Sequence, residues 1–511
     1  MIKIGKGVFT LVLFAVWIAI PAPAQVPPPA PPLDLFFRGA SLEERVAREA
    51  LDALSTQWRD SYTPMIIDLA RLLRPAPAAS VEGGTDLAES PNAAFDPDEG
   101  GGAAAGSAGA GFGREVARRP TRESLARTRL LRFLEERTGR RFDIYLNGWR
   151  QWMWSLPYSP HPDYAQFKGA VYGRIDSRMQ RFFPPQARST IRLDEIDWGG
   201  VPVNGIPPLS YPKVLAAANA TFLRDGNLVF GVVINGEARA YPKRILAWHE
   251  MAIDRLGGVE LTVVYCTLCG TVIPYDSVVG GRPRRFGTSG LLYRSNKLMF
   301  DEETMSLWSM LEGKPVVGAL VDTGLQLSSH AAVTTTWGEW RTEHPNTTVL
   351  SLDTGHKRDY REGAAYRDYF SNDRLYFQVP TNDTRLKNKT EVLAFRVRSG
   401  VGGAGQPVAI VADFLKRTPV FHFDAAGRRL LVITSKAGAN RLYDLTGHDV
   451  VFQAKAPTGP LVDTAGRRWL QNETALVPES GGSVTLPRVV AQRAFWFGWH
   501  AQFPDTLLVG R

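Results

Sequence analysis

Cysteine is almost missing from this chain: 511 residues carry two, Cys266 and Cys269. A core of this size is stable without disulfides. One bridge across two residues is no scaffold, so a disulfide-stapled secreted module is excluded. A zinc site closed by two cysteine knuckles is excluded as well, since there is no second pair. Long apolar runs are equally scarce. Beyond Ile20 no segment is long and apolar enough to span a bilayer, which takes roughly 20 residues. No cysteine follows the first apolar run, so a lipidated cysteine anchor is excluded.

What is present is an ordinary globular composition, 44% hydrophobic and 22% charged, long enough for two to four domains. The amino terminus reads as an export signal. Lys3 and Lys6 precede the apolar run Val8 to Ile20, and Ala22-Pro23-Ala24 offers small residues for cleavage near Ala24. The expected mature protein is soluble, in the periplasm or outside the cell. The formal net charge is +9. Much of it is local: residues 114–141 hold ten arginines and four glutamates. That segment could meet a protein or a membrane surface, although a solvated helix face explains it more simply. Export argues against nucleic acid as a partner.

The spacing of apolar residues predicts the organisation. Residues 1–24 are the signal. Residues 25–74 hold a proline-rich spacer and a helical hairpin, with a capping box at Ser41-Leu42-Glu43-Glu44 and a Thr63-Pro64 start. This helical pair resembles one unit of a HEAT-type repeat. Residues 75–120 are rich in Ala, Gly, Ser and Pro and read as a disordered insertion. Residues 121–190 form a helical and aromatic segment, with a helix from near Thr121 to about Thr138.

From about residue 191 the pattern changes to short strands and turns. Leu228 to Ile234, Asn235-Gly236 and Glu237 to Tyr241 predict a hairpin, followed by a short helix carrying Trp248, His249 and Glu250. Trp337-Gly-Glu-Trp340 through Thr347 matches Trp496-Phe-Gly-Trp499 through Thr506 position for position. Leu261 to Asp276 has a weaker counterpart in Leu430 to Asp444, where Thr434-Ser435-Lys436-Ala437-Gly438 replaces the cysteine turn. The expectation is an α+β protein with a strand-rich core of two related lobes. The first spans residues 191–360 and carries the cysteines; the second spans 361–511 and lacks them.

Several runs carry a family resemblance. Asn235-Gly-Glu-Ala-Arg-Ala-Tyr-Pro242, Trp248-His249-Glu250, Tyr265-Cys266-x-x-Cys269-Gly-Thr271, Gly287-x-Ser289-Gly-Leu-Leu-Tyr293, Leu298-Met299-x-Asp301 and Ser306-Leu-Trp308-Ser309 are the clearest. Over roughly residues 195–511 the chain resembles domain-of-unknown-function family 3179, a group of exported proteins. The resemblance implies a location and a fold and no reaction.

The chemistry therefore rests on Cys266-Thr267-Leu268-Cys269-Gly270, a turn between two predicted strands. Metal binding is the leading expectation. A single knuckle needs further ligands for zinc, whereas two thiolates and thioethers suit cuprous copper. His249 and Met299 are the candidate additional ligands, and Met251, Met305 and Met310 lie in the same short stretch. Thiol–disulfide exchange is the alternative, since the spacing and the exported compartment both permit it. A cysteine nucleophile with His249 as base, aided by Asp276 or Asp301, is a third chemistry. A structural disulfide in the turn, or an interaction module with incidental cysteines, stays open. Tyr241, Glu250, Ser289, Tyr293, Asp301 and Trp308 are candidate pocket residues. Whether the protein is an enzyme is not fixed by these residues.

Overall fold

The computed structural model describes residues 29–74, 120–142, 146–398, 405–453 and 461–511. The signal read at 1–24, and the insertion read at 75–120 apart from its last residue, lie outside the described residues. The protein is α+β, with helices first and a strand-rich core after them. No helix among the described residues is long and apolar enough to cross a membrane.

Six helices open the chain: α1 Leu33–Gly39, α2 Glu44–Ser55, α3 Thr63–Leu72, α4 Arg122–Thr138, α5 Leu146–Ser155 and α6 Tyr164–Tyr172. Thr63, Pro64, Met65, Ile66, Ile67, Leu69 and Ala70 are all buried in α3. A helix apolar almost all round must be covered on every side, and α4, α5 and α6 pack on it. The paired hairpin expected from the sequence is therefore a small bundle around α3. The Ser41 hydroxyl accepts the Glu43 N–H at 3.1 Å, and α2 starts three residues later than that serine. Thr121 does cap α4, accepting the Ser124 N–H, and Gly139 ends it in the left-handed conformation. Arg127 of α4 is buried and donates to the Ala70 and Leu73 carbonyls; Arg122, Arg132 and Arg137 are exposed.

The core contains the same pattern twice. In the first copy the sheet order is Ala332–Thr336, Leu228–Ile234, Glu237–Pro242, Thr348–Leu350, with these last two parallel, and Val214–Ala216 adds a fifth, antiparallel edge strand. In the second it is Gln492–Phe495, Glu391–Val397, Gln406–Val411, Leu507–Val509, again with the last pair parallel. A short helix follows the second strand each time: α7 Lys243–His249 in the first and α10 Ala412–Arg417 in the second. Another precedes the parallel strand: α8 Trp337–Glu343 and α11 Trp496–Gln502. Between them lies a three-strand meander, Met251–Leu256, Val259–Cys266 and Thr271–Asp276 in the first copy. Its counterpart is Val420–Ala425, Arg428–Thr434 and Asn440–Asp444. Leu261 pairs with Asp276 and Leu430 pairs with Asp444, at the same place in each hairpin.

Asn235 and Gly236 both take positive φ, 48° and 83°, as a two-residue hairpin with native strand twist requires. Gly231 has a different reason to be glycine: a Cβ there would lie 2.2 Å from the Trp340 ring, which covers that strand.

An additional five-stranded sheet joins the helices to the first copy. It contains Ile196–Trp198, Phe286–Tyr293, Asn296–Asp301, Leu307–Ser309 and Lys314–Val317. Its Leu298, Phe300 and Leu307 share one buried cluster with Ile66, Leu130 and Trp149 of the helices. The segment between Leu350 and Glu391 belongs to neither repeated sheet. It carries α9, Arg367–Phe370, and lies over the cysteine turn.

Candidate functional site: a buried cysteine turn

The strand Val259–Cys266 is rich in β-branched and aromatic residues and pairs along its length with Thr271–Asp276. Cys266 is the last paired residue. The Cys269 N–H donates to the Cys266 carbonyl at 3.2 Å, and Gly270 at φ 65° turns the chain back. This tight turn aims both thiols at one point. The two sulfurs lie 2.6 Å apart, and the Cys269 thiol donates to the Ser295 carbonyl at 3.2 Å. Both cysteines are free and buried, 2% and 0% exposed.

The two sulfurs differ electrostatically. Burial opposes ionisation of both. At Cys266 burial and the neighbouring Glu250 charge are outweighed by the hydrogen bond with Cys269 and, after it, by the backbone N–H and the charge of Lys297, and its pKa is lowered. Burial, joined by the hydrogen bond to a Cys266 thiolate, pushes Cys269 well up. The turn thus holds one thiolate-prone sulfur and one that keeps its proton.

Beside the turn is a buried ion pair, Lys297 with Glu250, their side chains 6% and 7% exposed. Glu250 ends α7 in the left-handed conformation, φ 55°, and its carbonyl accepts the Tyr265 N–H at 2.9 Å. That places its carboxylate under Tyr366, whose hydroxyl donates to it at 3.1 Å. The hairpin turn Arg294-Ser295 is also left-handed, φ 47° and 63°, without glycine. Such a conformation costs roughly 1–2 kcal/mol for a residue with a Cβ. Three such residues flank the thiols, the kind of local strain that gathers at working sites. Arg294 is held there by Glu195 and by the Ala501 carbonyl.

The second copy supports the first from across the core. The Phe495 N–H donates to the Cys269 carbonyl at 2.7 Å. Gly498 of α11 lies against Cys269; a Cβ there would be 3.1 Å from the Cys269 Cβ and 3.5 Å from its Sγ. The relation is reciprocal. Glu339 occupies in α8 the place of Gly498, and its carboxylate accepts from the Ser435 hydroxyl and the Ala437 N–H. Ser435 stands where Cys266 stands in the other hairpin. Each hairpin tip docks on the other copy's helix, one with sulfur against glycine, the other with a hydroxyl against a carboxylate.

Of the residues read from sequence, Glu250 and Ser289 line the cleft beside the turn. Met299 lies with Met251 and Met310 in the buried cluster that contains both cysteines. His249 is not brought to them. Its Nδ1 donates to the Pro207 carbonyl at 2.9 Å, and Nε2 accepts from the Tyr360 hydroxyl at 2.6 Å. Burial lowers its pKa to about 4, so the ring is neutral. Tyr241 donates to Asp254, which also pairs with Arg239. Asp301 accepts from Trp308 Nε1 and Thr304 and pairs with Arg284; both Asp301 and Trp308 serve packing. Tyr293 lies under Arg294, its pKa raised first by burial and then by Glu195. Asp276 pairs with His330, so neither Asp276 nor Asp301 orients a base at the thiols.

Lys297 and Tyr366 were not singled out from sequence. Lys297 had a weak signal, a cation directly before the apolar Leu298-Met299-Phe300; Tyr366 had none. Among the described residues, one group of three His, Cys, Asp or Glu side chains converges closely enough for a metal: Glu343, His344 and Glu473. Arg441 pairs with both of those carboxylates at 2.6 Å, and Arg488 pairs with Glu473. These charges are already compensated, and the group is a clasp between the two copies.

A model of the family described as "Protein of unknown function (DUF3179)" matches residues 203–506. No curated protein and no solved structure matches the chain.

Proposed function

The chain belongs to that family, whose description names no reaction, and from the geometry we propose that Cys266 and Cys269 form a two-electron dithiol/disulfide redox centre. The observation that carries this is the asymmetric pair itself: two free sulfurs 2.6 Å apart, one held toward thiolate and the other held protonated. Nucleophile and resolving thiol need that division of labour. Closing the bond, about 2.0 Å long, takes only a small side-chain movement. An exported location, read from residues 1–24, suits a centre that cycles between thiol and disulfide.

The exchange balances within the turn. The Cys266 thiolate attacks an electrophilic sulfur or oxygen, forming a bond to it and releasing the leaving group. Cys269 then attacks Cys266 Sγ, forming the disulfide, releasing the second half of the oxidant and giving up its proton. Two electrons leave the dithiol. Lys297 holds positive charge beside the first step, and Glu250 fixes Lys297 in place.

Thiol quantification and a redox titration against the dithiothreitol couple test this reading. A single two-electron transition, lost in Cys266→Ser and in Cys269→Ser, is the expected result. Thiols that never pair under oxidising buffer refute it.

A soft-metal reading is favoured by one observation, the three methionines that share the cysteines' cluster. Two sulfurs bonded to one tetrahedral ion at about 2.3 Å stand about 3.8 Å apart, so the turn would have to open. Zinc would also need ligands beyond the turn, and His249 has both nitrogens engaged. Metal analysis of protein purified without oxygen decides between the readings: copper bound to the wild type and lost in Cys266→Ser supports the second.

A further inference from the structure

The two copies are covered unequally at their sheet edges. In the first copy one extended segment, Leu209 to Ala216, closes two edges. Leu209 and Ser210 pair in parallel with Ala252 and Ile253 of the meander, and the Tyr211 N–H donates to the Ile253 carbonyl at 2.7 Å. Val214–Ala216 then runs antiparallel to Thr348–Leu350. The Ser351 N–H donates to the Lys213 carbonyl at 2.8 Å, and the Ala217 N–H to the Thr347 carbonyl at 3.2 Å. In the second copy the matching strands, Val420–Ala425 and Leu507–Val509, each stand last in their sheet. Thr506 and Gly510 correspond to Thr347 and Ser351. Among the described residues, neither the Thr506 carbonyl nor the Gly510 N–H has a backbone partner. Leu507 is 37% exposed. Phe414 meets Phe421 edge to face at 4.9 Å, Phe423 stacks on Phe421 at 5.4 Å, and all three are half-buried. Ile245 and Ala252, which hold the places of Phe414 and Phe421 in the first copy, are fully buried.

The chain's own matching segment lies elsewhere. Leu228 and Glu391 begin equivalent strands, each paired to the residue before a tryptophan. Counted back equally from those two residues, Leu209 and Ala216 correspond to Asn372 and Val379. Tyr376, Phe377 and Val379 pack instead in the cluster that holds the cysteines. Charge opposes their return. The Tyr211 hydroxyl of the first cover donates to Glu260 at 2.8 Å. Arg429 holds the Glu260 position, because Arg255–Glu260 and Asp424–Arg429 are matching cross-strand pairs. Burial and then the Arg429 charge lower the pKa of His422, which puts that cation beside the uncovered edge. Arg429 is exposed, and its guanidinium also donates to the His448 carbonyl. Arg374, in the place of Tyr211, would bring a like charge against it.

We propose that this double edge docks an extended segment of a partner protein, about eight residues long, with a carboxylate at its third position and apolar residues at its last three. The uncovered backbone of Leu507–Val509 supplies the ladder, the mode of recognition in which an added strand completes a sheet. The three phenylalanines receive apolar side chains, and Arg429 selects the carboxylate. An apolar edge left bare invites indiscriminate pairing, which folded proteins ordinarily block; a partner strand of matching charge removes that hazard.

Fluorescence polarisation of labelled, end-blocked peptides with the full chain tests this. The probes are Leu-Ser-Glu-Pro-Lys-Val-Leu-Ala, built on the first copy's cover with glutamate for its tyrosine, and a twin with lysine at that position. The glutamate peptide should bind about tenfold tighter at low salt, the scale of exchanging an attractive surface pair for a repulsive one, and high salt should narrow the gap. Arg429→Glu should invert the order. Methylating the backbone nitrogen of the peptide's second leucine should abolish binding, since Leu215 holds that position opposite Val349 and lies two residues from each hydrogen-bonded end. No binding of either peptide, binding indifferent to the methyl group, or a preference that Arg429→Glu leaves unchanged overturns the proposal. A chain that sediments as a dimer, is split by Leu508→Pro and takes up neither peptide assigns the edge to a second copy and overturns it as well.

Discussion

Lys297→Met removes one partner of the buried pair and leaves the other behind. Among the described residues, the Glu250 carboxylate, 7% exposed, would keep the Tyr366 hydroxyl as its one polar side-chain partner. Stranding one ion of a buried pair costs about 3–5 kcal/mol; the remaining hydrogen bond puts this case near the lower end, about 3 kcal/mol. Glu250→Gln in the same chain removes the stranded charge, and the double variant should return to within about 1.5 kcal/mol of wild type, because neutral groups of similar shape replace a pair with little net worth. Urea unfolding of all four proteins at neutral pH gives the coupling directly. The same variants report on the thiols. Lys297 lowers Cys266 through its backbone N–H and through its charge; methionine keeps the first and loses the second. The ultraviolet thiolate signal of Lys297→Met should therefore titrate at higher pH than wild type, though still below Cys269. A single variant that loses under about 1 kcal/mol, no less stable than the double, with an unmoved thiolate titration, would refute the account of this pair.

Gly498→Ala presses a methyl onto Cys269 Cβ at 3.1 Å; a loss of about 1–2 kcal/mol and a shifted dithiol midpoint are expected in urea and redox titrations. Gly231→Ala drives a methyl to 2.2 Å from the Trp340 ring and should cost about 3 kcal/mol or more by thermal or urea unfolding. His249 is held neutral by burial, its pKa lowered to about 4. A depressed histidine makes the unfolded chain bind the extra proton, so stability is full above about pH 6.5 and falls toward pH 4, by about 3 kcal/mol. His249→Gln should flatten that part of the stability–pH curve relative to wild type. Glu339→Ala removes the acceptor for Ser435 and Ala437 and should destabilise by about 1–3 kcal/mol, without altering the thiol count.

The lobes were legible because their signals are short-range. The Asn235-Gly236 turn, the helix capped by Thr121 and the hairpin from Leu261 to Asp276 each declare themselves within a dozen residues. The repeated tryptophan spacing revealed that one arrangement occurs twice, and the structure gives both copies the same strand order. The helical region was less legible. A near-uniformly apolar α3 fixes how many neighbours it needs and leaves open which ones. His249 shows a different failure. A histidine next to a glutamate near two cysteines reads as a ligand, yet α7 carries its ring toward Pro207 and Tyr360 while the left-handed turn at Glu250 sends the carboxylate the other way.

By itself the sequence determined that two thiols stand at the tip of one hairpin, that the sister hairpin carries none, and that the core is strand-rich. Those features follow from alternation, turn chemistry and residue identity, which act between near neighbours. Tertiary structure alone decided what surrounds the sulfurs. Tyr366 reaches Glu250 across 116 positions, and Asn296 reaches the Gly498 carbonyl across 202. Contacts of that range are selected by packing and by burial of charge, which leave no periodic trace in a chain read from one end to the other.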